Sequence, residues 1–525
     1  MNTIAAHDLK PLLTKQGEIA FLDVREQGQY GEGHPFFSVP FPYSRLEAMA
    51  ATLLPSTYPR LIVFDDNDGV AERAAAVLES LGYRNVSVLE GGAPGWAAAG
   101  FTLFKGVNVM SKTYGELLEQ TADTPRLTAT ELRSLLERDP SVVLLDGRSP
   151  EEYRKMTLPG ALCCPNAELG YRLDSLVADE TTTVVIHCAG RTRSILGVES
   201  LRILDIPNPL FALENGTQGW RLAGFDLAND NTPQALVEPD DNAMARMARR
   251  ASALIASANL PMIDQATMAE WQGQAERTTY LLDVRTKAEF DAAHWKGARH
   301  APGGQLIQAT DQYVAVRNAR IVLSDDNHVR AATTAVRLQD MGHDVYLLDA
   351  DARAGSSRAS ADQSRAASTD EAPVFPAAGS LQELTILDAS PGMSFRQAHV
   401  ADARWVTRAR IDQLRLDPGE PVLVTGRDRE LIDGVVTELI AAGCNVIEAC
   451  VGSPAIWTEA GYDIVTTPHV PTDEECIDYL FFVHDRHDGN LDAARRYLEW
   501  EVGLVDQLDA QERSVLRPRA ALSDE

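Results

Sequence analysis

The feature that most restricts this chain is a unit written four times. Each copy opens on a short apolar strand ending in aspartate: Ala20-Phe21-Leu22-Asp23, Val143-Leu144-Leu145-Asp146, Tyr280-Leu281-Leu282-Asp283 and Thr385-Ile386-Leu387-Asp388. The first three continue as Asp-x-Arg, with Arg25, Arg148 and Arg285. Eleven residues after the aspartate stand His34, Thr157, His294 and His399. A second apolar strand follows at 61–64, 184–187, 321–324 and 422–425. The residue just beyond it lies 42 positions after the aspartate in three units and 38 in the fourth. An amphipathic helix, a third strand and a closing segment with a tryptophan (Trp96, Trp220, Trp457) complete the unit. The third copy lacks that closing segment and runs into a linker.

A repeat of this length is a domain in its own right. Short apolar strands alternating with helices predict parallel sheets covered on both faces. The expected class is therefore α/β, as four tandem domains at 1–104, 126–228, 258–350 and 379–466, each a parallel sheet flanked by helices. Residues 105–125 and 229–257 read as linkers, the second with a helix. The Ala/Ser-rich stretch 351–378 reads as a mobile linker. Residues 467–525 read as an α-helical C-terminal tail, with helices over 476–484 and 491–508 around Asp488-Gly489-Asn490. That tail is expected to pack on a domain or on a second subunit, which would make a homodimer. His484 and His487 with Asp485 and Asp488 could serve as metal ligands or form a polar turn. The turn is preferred because further ligands are not identifiable, so no metal and no cofactor is expected.

Composition narrows the partners. The formal net charge of −28 disfavours nucleic acid and anionic membranes. No apolar run reaches the length of a membrane-spanning helix. Residues 1–8 lack the basic and apolar regions of a secretory signal. The six cysteines (Cys163, Cys164, Cys188, Cys444, Cys450 and Cys476) are sparse and irregular, which suits a reducing, cytoplasmic location.

The chemistry concentrates at one of the four strand–helix junctions. The stretch Val184-Val185-Ile186-His187-Cys188-Ala189-Gly190-Arg191-Thr192-Arg193-Ser194 runs from a buried strand into a helix. The aligned positions elsewhere are Asp65, Asp325 and Gly426, so Cys188 is the one nucleophile at this place. Unpaired N–H groups and the helix dipole favour an anion here, and a thiolate is an anion. Gly190 permits the tight turn, Ser194 is expected to start and cap the helix, and Arg191 and Arg193 supply forked donors. Four residues separate Cys188 from Arg193. Cysteine phosphatases place one more between the two, and the tighter ring suits sulfur better than phosphate. His187 and Asp146 are expected to be structural, and Arg148 to pair with a carboxylate of its own unit. Cys163 and Cys164 read as a half-buried strand pair, with a resolving thiol as the alternative.

Taken together, Asp146-Gly147-Arg148, Pro159-Gly160-Ala161, the Cys188–Ser194 loop and Trp220 resemble the rhodanese, or thiosulfate sulfurtransferase, family. Four copies, one with the cysteine, cover most of the chain. The resemblance implies that Cys188 forms a persulfide. It further implies that Ala189, Gly190, Arg191, Thr192 and Arg193 bind a small anionic donor, with Asp146, Arg148 and Ser194 as support. The implied activity is thiosulfate sulfurtransferase, with cyanide or a thiol as acceptor. Alternatives are 3-mercaptopyruvate or a protein thiol as partner, and a multidomain binding scaffold. Arsenate reduction and phosphatase activity are disfavoured by the loop length.

Overall fold

The computed structural model describes residues 2–349, 384–416, 419–484 and 490–520, with the backbone of 358–359. The first three units each form a five-stranded parallel sheet with one strand order. In the first it runs Asn2–Ile4, Val86–Leu89, Arg60–Phe64, Ile19–Asp23, Val39–Pro40. The fourth keeps four strands and lacks the first edge strand among its described residues. The central strands are buried along nearly their whole length, which is why they read as unbroken apolar runs.

The recurrent positions of the sequence are register positions of the sheets. Asp23, Asp146, Asp283 and Asp388 pair with Phe64, His187, Ser324 and Thr425 at the ends of the second strands. The residue eleven positions later sits in a short antiparallel bridge at the domain margin. His34 meets Phe104, Thr157 meets Ala228, His294 meets Ala359 and His399 meets Val465. The third unit thus receives its margin strand from 358–359. The rest of the segment at 350–383, including the expected mobile linker, lies outside the described residues. The expected helix of the second linker is Asp241–Ser257.

The units pack into one another. A single apolar core runs through the first three domains and takes in Leu504 and Leu516 of the tail. Ile19 and Arg317 exchange backbone hydrogen bonds between the first and third domains. Arg408 and Arg45 of the fourth and first domains reach across to Glu47 and to Asp428 and Glu430, respectively. Among the described residues no helix is long and apolar enough to cross a membrane.

The tail differs from its expected form. Only Phe481–His484 of the first predicted helix is helical; residues 476–480 form turns. The reason is local. The Ile477 carbonyl accepts from the N–H of Gly28, and the Asp478 carboxylate accepts from the N–H of Gly392, so this stretch is tied to domains one and four. The second helix, Leu491–Val502, stops short of 508 and is followed by a 3₁₀ turn at Val505–Gln507. The tail then crosses domain one, where Glu512 and Asp509 hold Lys10, and domain three, where the Arg517 N–H meets the Asp340 carbonyl. It therefore packs on several domains of its own chain. Residues 485–489, including His487, Asp485 and Asp488, lie outside the described residues.

Candidate active site

Cys188 follows the Val184–His187 strand at the carboxyl edge of the second sheet, where open α/β sheets bind ligands. The loop after it is turned by the closing segment of the same domain. Thr217 and Gln218 donate their N–H groups to the carbonyls of Cys188 and Ala189, at 2.8 and 3.1 Å. Gly216 has φ +51°, and a Cβ there would lie 2.2 Å from the Cys188 oxygen, so only glycine lets the two segments meet. With these carbonyls held outward, the N–H groups of Ala189 to Arg193 find no acceptor among the described residues.

The sister junctions show where those N–H groups point. Asp65 accepts from the N–H groups of Asn67 and Ala71, two and six residues on. Asp325 accepts from Asp326, Arg330 and Ala331, one, five and six residues on. The same offsets from Cys188 give Ala189, Gly190, Arg193 and Ser194. In two domains an aspartate carboxylate accepts from these positions; in the second domain Cys188 stands in the aspartate's place, with the Ser194 N–H already donated to the Arg191 carbonyl.

The two loop arginines are anchored. Arg191 donates to Glu116 at 2.7 and 3.0 Å and also pairs with Glu119. Arg193 donates through both terminal nitrogens to Glu152 at 2.5 and 2.7 Å. Burial alone would raise Glu152, but the Arg193 charge and hydrogen bonds outweigh it and hold the carboxyl down to about 2. Burial pushes Glu116 up to about 7 in spite of Arg191. The forked donors read from the sequence are thus largely spent on carboxylates of this chain.

The other site residues take distinct positions. Arg148 grips Asp146 through Nε and Nη2, and the same Nη2 donates to the Met156 carbonyl. Asp146 also accepts from the Thr157 hydroxyl at 2.7 Å. This module braces the strand end and does not line the cavity over the sulfur. His187 is fully buried, 3.7 Å from the Asp146 carboxylate, and burial lowers it to about 4, so it is neutral near pH 7. Ser194 is not the helix cap. The helix is Thr192–Arg202, so Ser194 is its third residue, and its hydroxyl donates back to the Arg191 carbonyl. Its oxygen lies 3.7 Å from the Cys188 sulfur. Cys163 lies on the strand beyond Asp146, and burial pushes its thiol up to about 12; Cys164 is raised by burial as well. Neither lines the cavity over Cys188.

That cavity, of about 220 Å³, has walls that the second domain alone does not supply. Lys112 comes from the helix Val109–Ala122 that joins domains one and two. Gln305, Gln308 and Gln312 come from domain three, and Tyr497 and Glu501 from the tail helix. Gly115 lets the joining helix approach, since a Cβ there would lie 2.8 Å from the Thr192 methyl. Glu501 accepts from the Thr192 hydroxyl at 2.6 Å. Sequence reasoning treated 105–125 as a linker and so missed these groups. The spacing Lys112, Glu116, Glu119 places three charges on one helix face and was a usable signal. Nothing in the sequence pointed from Thr192 to Glu501.

Comparison with known proteins agrees with this construction. The rhodanese-like domain family matches residues 5–99, 128–223 and 265–354. A solved structure of a thiosulfate sulfurtransferase from Pseudomonas aeruginosa is 36% identical, with 99% of this chain and 100% of that chain covered and a TM-score of 0.88. A curated HTH-type transcriptional regulator of Mycobacterium tuberculosis is 36% identical over 85 residues, 16% of this chain; the match spans only 36% of that relative's length. With the repeated sheet, the Cys188 junction and a family match over more than half its length, this chain belongs to the rhodanese family.

Proposed function

We propose that the protein is a sulfurtransferase that works through a persulfide on Cys188, with thiosulfate as donor and cyanide or a small thiol as acceptor. The single observation that carries this reading is the Cys188 ring. It offers N–H groups to an anion at the place where sister domains seat a carboxylate. In the first step the Cys188 thiolate attacks the outer sulfur of thiosulfate. A new S–S bond forms, the bond to the sulfonate sulfur breaks, and its electron pair leaves on sulfite. In the second step cyanide or a thiolate attacks the outer persulfide sulfur, and the Cys188 thiolate is released. The likeness to a thiosulfate sulfurtransferase supports the choice of donor. The cavity volume of about 220 Å³ suits a small donor such as thiosulfate. Domains one, three and four then act as scaffold: domain three supplies a cavity wall, domains one and three anchor the tail, and none carries a cysteine at the junction.

The test is intact-protein mass spectrometry after thiosulfate treatment, with peptide mapping. One added sulfur on Cys188, and thiocyanate production lost in Cys188→Ser, are the expected results. Undiminished turnover in that variant, or sulfur mapped to Cys163 or Cys164, would overturn the assignment.

A further inference from the structure

Any anionic donor at Cys188 needs a cation, and the two loop arginines are already matched by Glu116, Glu119 and Glu152. We propose that Lys112, outside the catalytic domain, is the residue that binds the anionic portion of the donor. This rests on the sulfur-transfer reading above.

Three observations carry it. First, Lys112 is buried, at 4% exposure, and lines the cavity that contains Cys188. Second, its ammonium has an incomplete set of partners. Nζ donates to the Val107 carbonyl at 2.5 Å and lies 5.5 and 5.0 Å from the ring centres of Tyr497 and Trp500. The charged and titratable groups around it are Glu501, Asp311 and His34, and among the described residues Lys112 forms no ion pair with either carboxylate. A buried charge without a counter-ion is costly. Third, Lys112 stands in the first turn of the helix Val109–Ala122, the end at which the helix dipole disfavours a cation. A position so unfavourable for the free protein is matched by a sulfonate or sulfite oxyanion in the same cavity. The ring faces of Tyr497 and Trp500 hold the ammonium there, so the tail positions the donor-binding charge in a domain it does not belong to.

The experiment uses the full chain. In Lys112→Gln the KM for thiosulfate should rise about 10–100-fold, with kcat within about threefold, because a ground-state charge contact is lost. Lys112→Arg should recover most of the loss. Alkylation of Cys188 gives a readout that a structural role would not move. The ratio of the rate with anionic iodoacetate to that with neutral iodoacetamide should fall about tenfold in Lys112→Gln. An unchanged KM and an unchanged ratio in folded Lys112→Gln would overturn the proposal. So would a wild-type KM in the double variant with Glu501→Gln, since Lys112 would then only neutralise Glu501. If the wild type takes no sulfur from thiosulfate, the sulfur-transfer reading fails, while the alkylation ratio still decides the role of Lys112.

Discussion

Domains two and three share one loop frame and differ in what sits inside it. Arg193 pairs with Glu152 across 41 positions, and Arg330 pairs with Glu289 across the same 41. Thr286 and Ser149 each cap a helix whose third residue is that glutamate. The arginine–glutamate pair is therefore shared by domains two and three and is not a mark of the copy with the cysteine. The difference lies in two adjacent residues. Domain three has Asp325-Asp326, domain one has Asp65-Asp66, and domain two has Cys188-Ala189. The first aspartate fills its own ring of N–H groups; the second pairs with the arginine of the Asp-x-Arg motif, Arg25 to Asp66 and Arg285 to Asp326. Domain two thus lacks both carboxylates at the junction where Cys188 stands. Domains one and three carry a built-in carboxylate where domain two carries a thiol, and domain four has Gly426 there.

The sharpest way to break this contrast is to write the silent residue into the active copy. Cys188→Asp should abolish thiocyanate formation, a loss beyond about 10⁴-fold, yet leave the melting temperature undiminished because the carboxylate finds the same donors. A large fall in stability would show that the rings are not equivalent. The reverse lesion is next. Asp325→Ala leaves Arg330, which is fully buried, short of a carboxylate and strands the ring donors. It should cost about 3–5 kcal/mol in denaturant unfolding while sulfur transfer by the folded protein stays within about threefold.

Ala189→Asp restores only the second carboxylate. It should pair with Arg148 and lower kcat/KM for thiosulfate by about 10–100-fold through repulsion next to the sulfur. An unaltered rate would mean that the entering anion does not sense this position.

The smallest expected effect concerns pH. Glu116, raised by burial to about 7, binds its proton more tightly in the folded chain than in the unfolded one, where the ordinary value is near 4.5. Its favourable contribution is complete below about pH 4.5 and is lost as pH rises through about 7. Glu116→Gln should therefore flatten that part of the stability–pH curve. A curve unchanged from the wild type would place the titration elsewhere.

Much of this was legible in the sequence because it is local. The strand-end aspartates, the eleven-residue offset and the junction residue are all fixed by sheet register, and register repeats with the chain. Ser194 was misplaced because a serine near a helix start suggests a cap, whereas here the helix begins at Thr192 with no side-chain cap and the serine bonds backward. The anchoring of Arg191 was hidden because Glu116 lies 75 residues away in what composition marks as a linker. Residues 476–480 carry an apolar pattern compatible with a helix, but the Ile477 carbonyl is taken by the Gly28 N–H and the Asp478 carboxylate by the Gly392 N–H.

The seat of Glu501 on Thr192 also has a consequence in time. The two are separated by 309 residues. At a synthesis rate of about 5–20 residues per second, the ribosome delivers the covering helix roughly 15–60 s after the loop it covers. During that interval a nascent chain carries Cys188 without the tail helix beside it or the aromatic rings behind Lys112. Chains cut short before Leu491 would lack the Thr192–Glu501 hydrogen bond and the aromatic contacts of Tyr497 and Trp500 to Lys112.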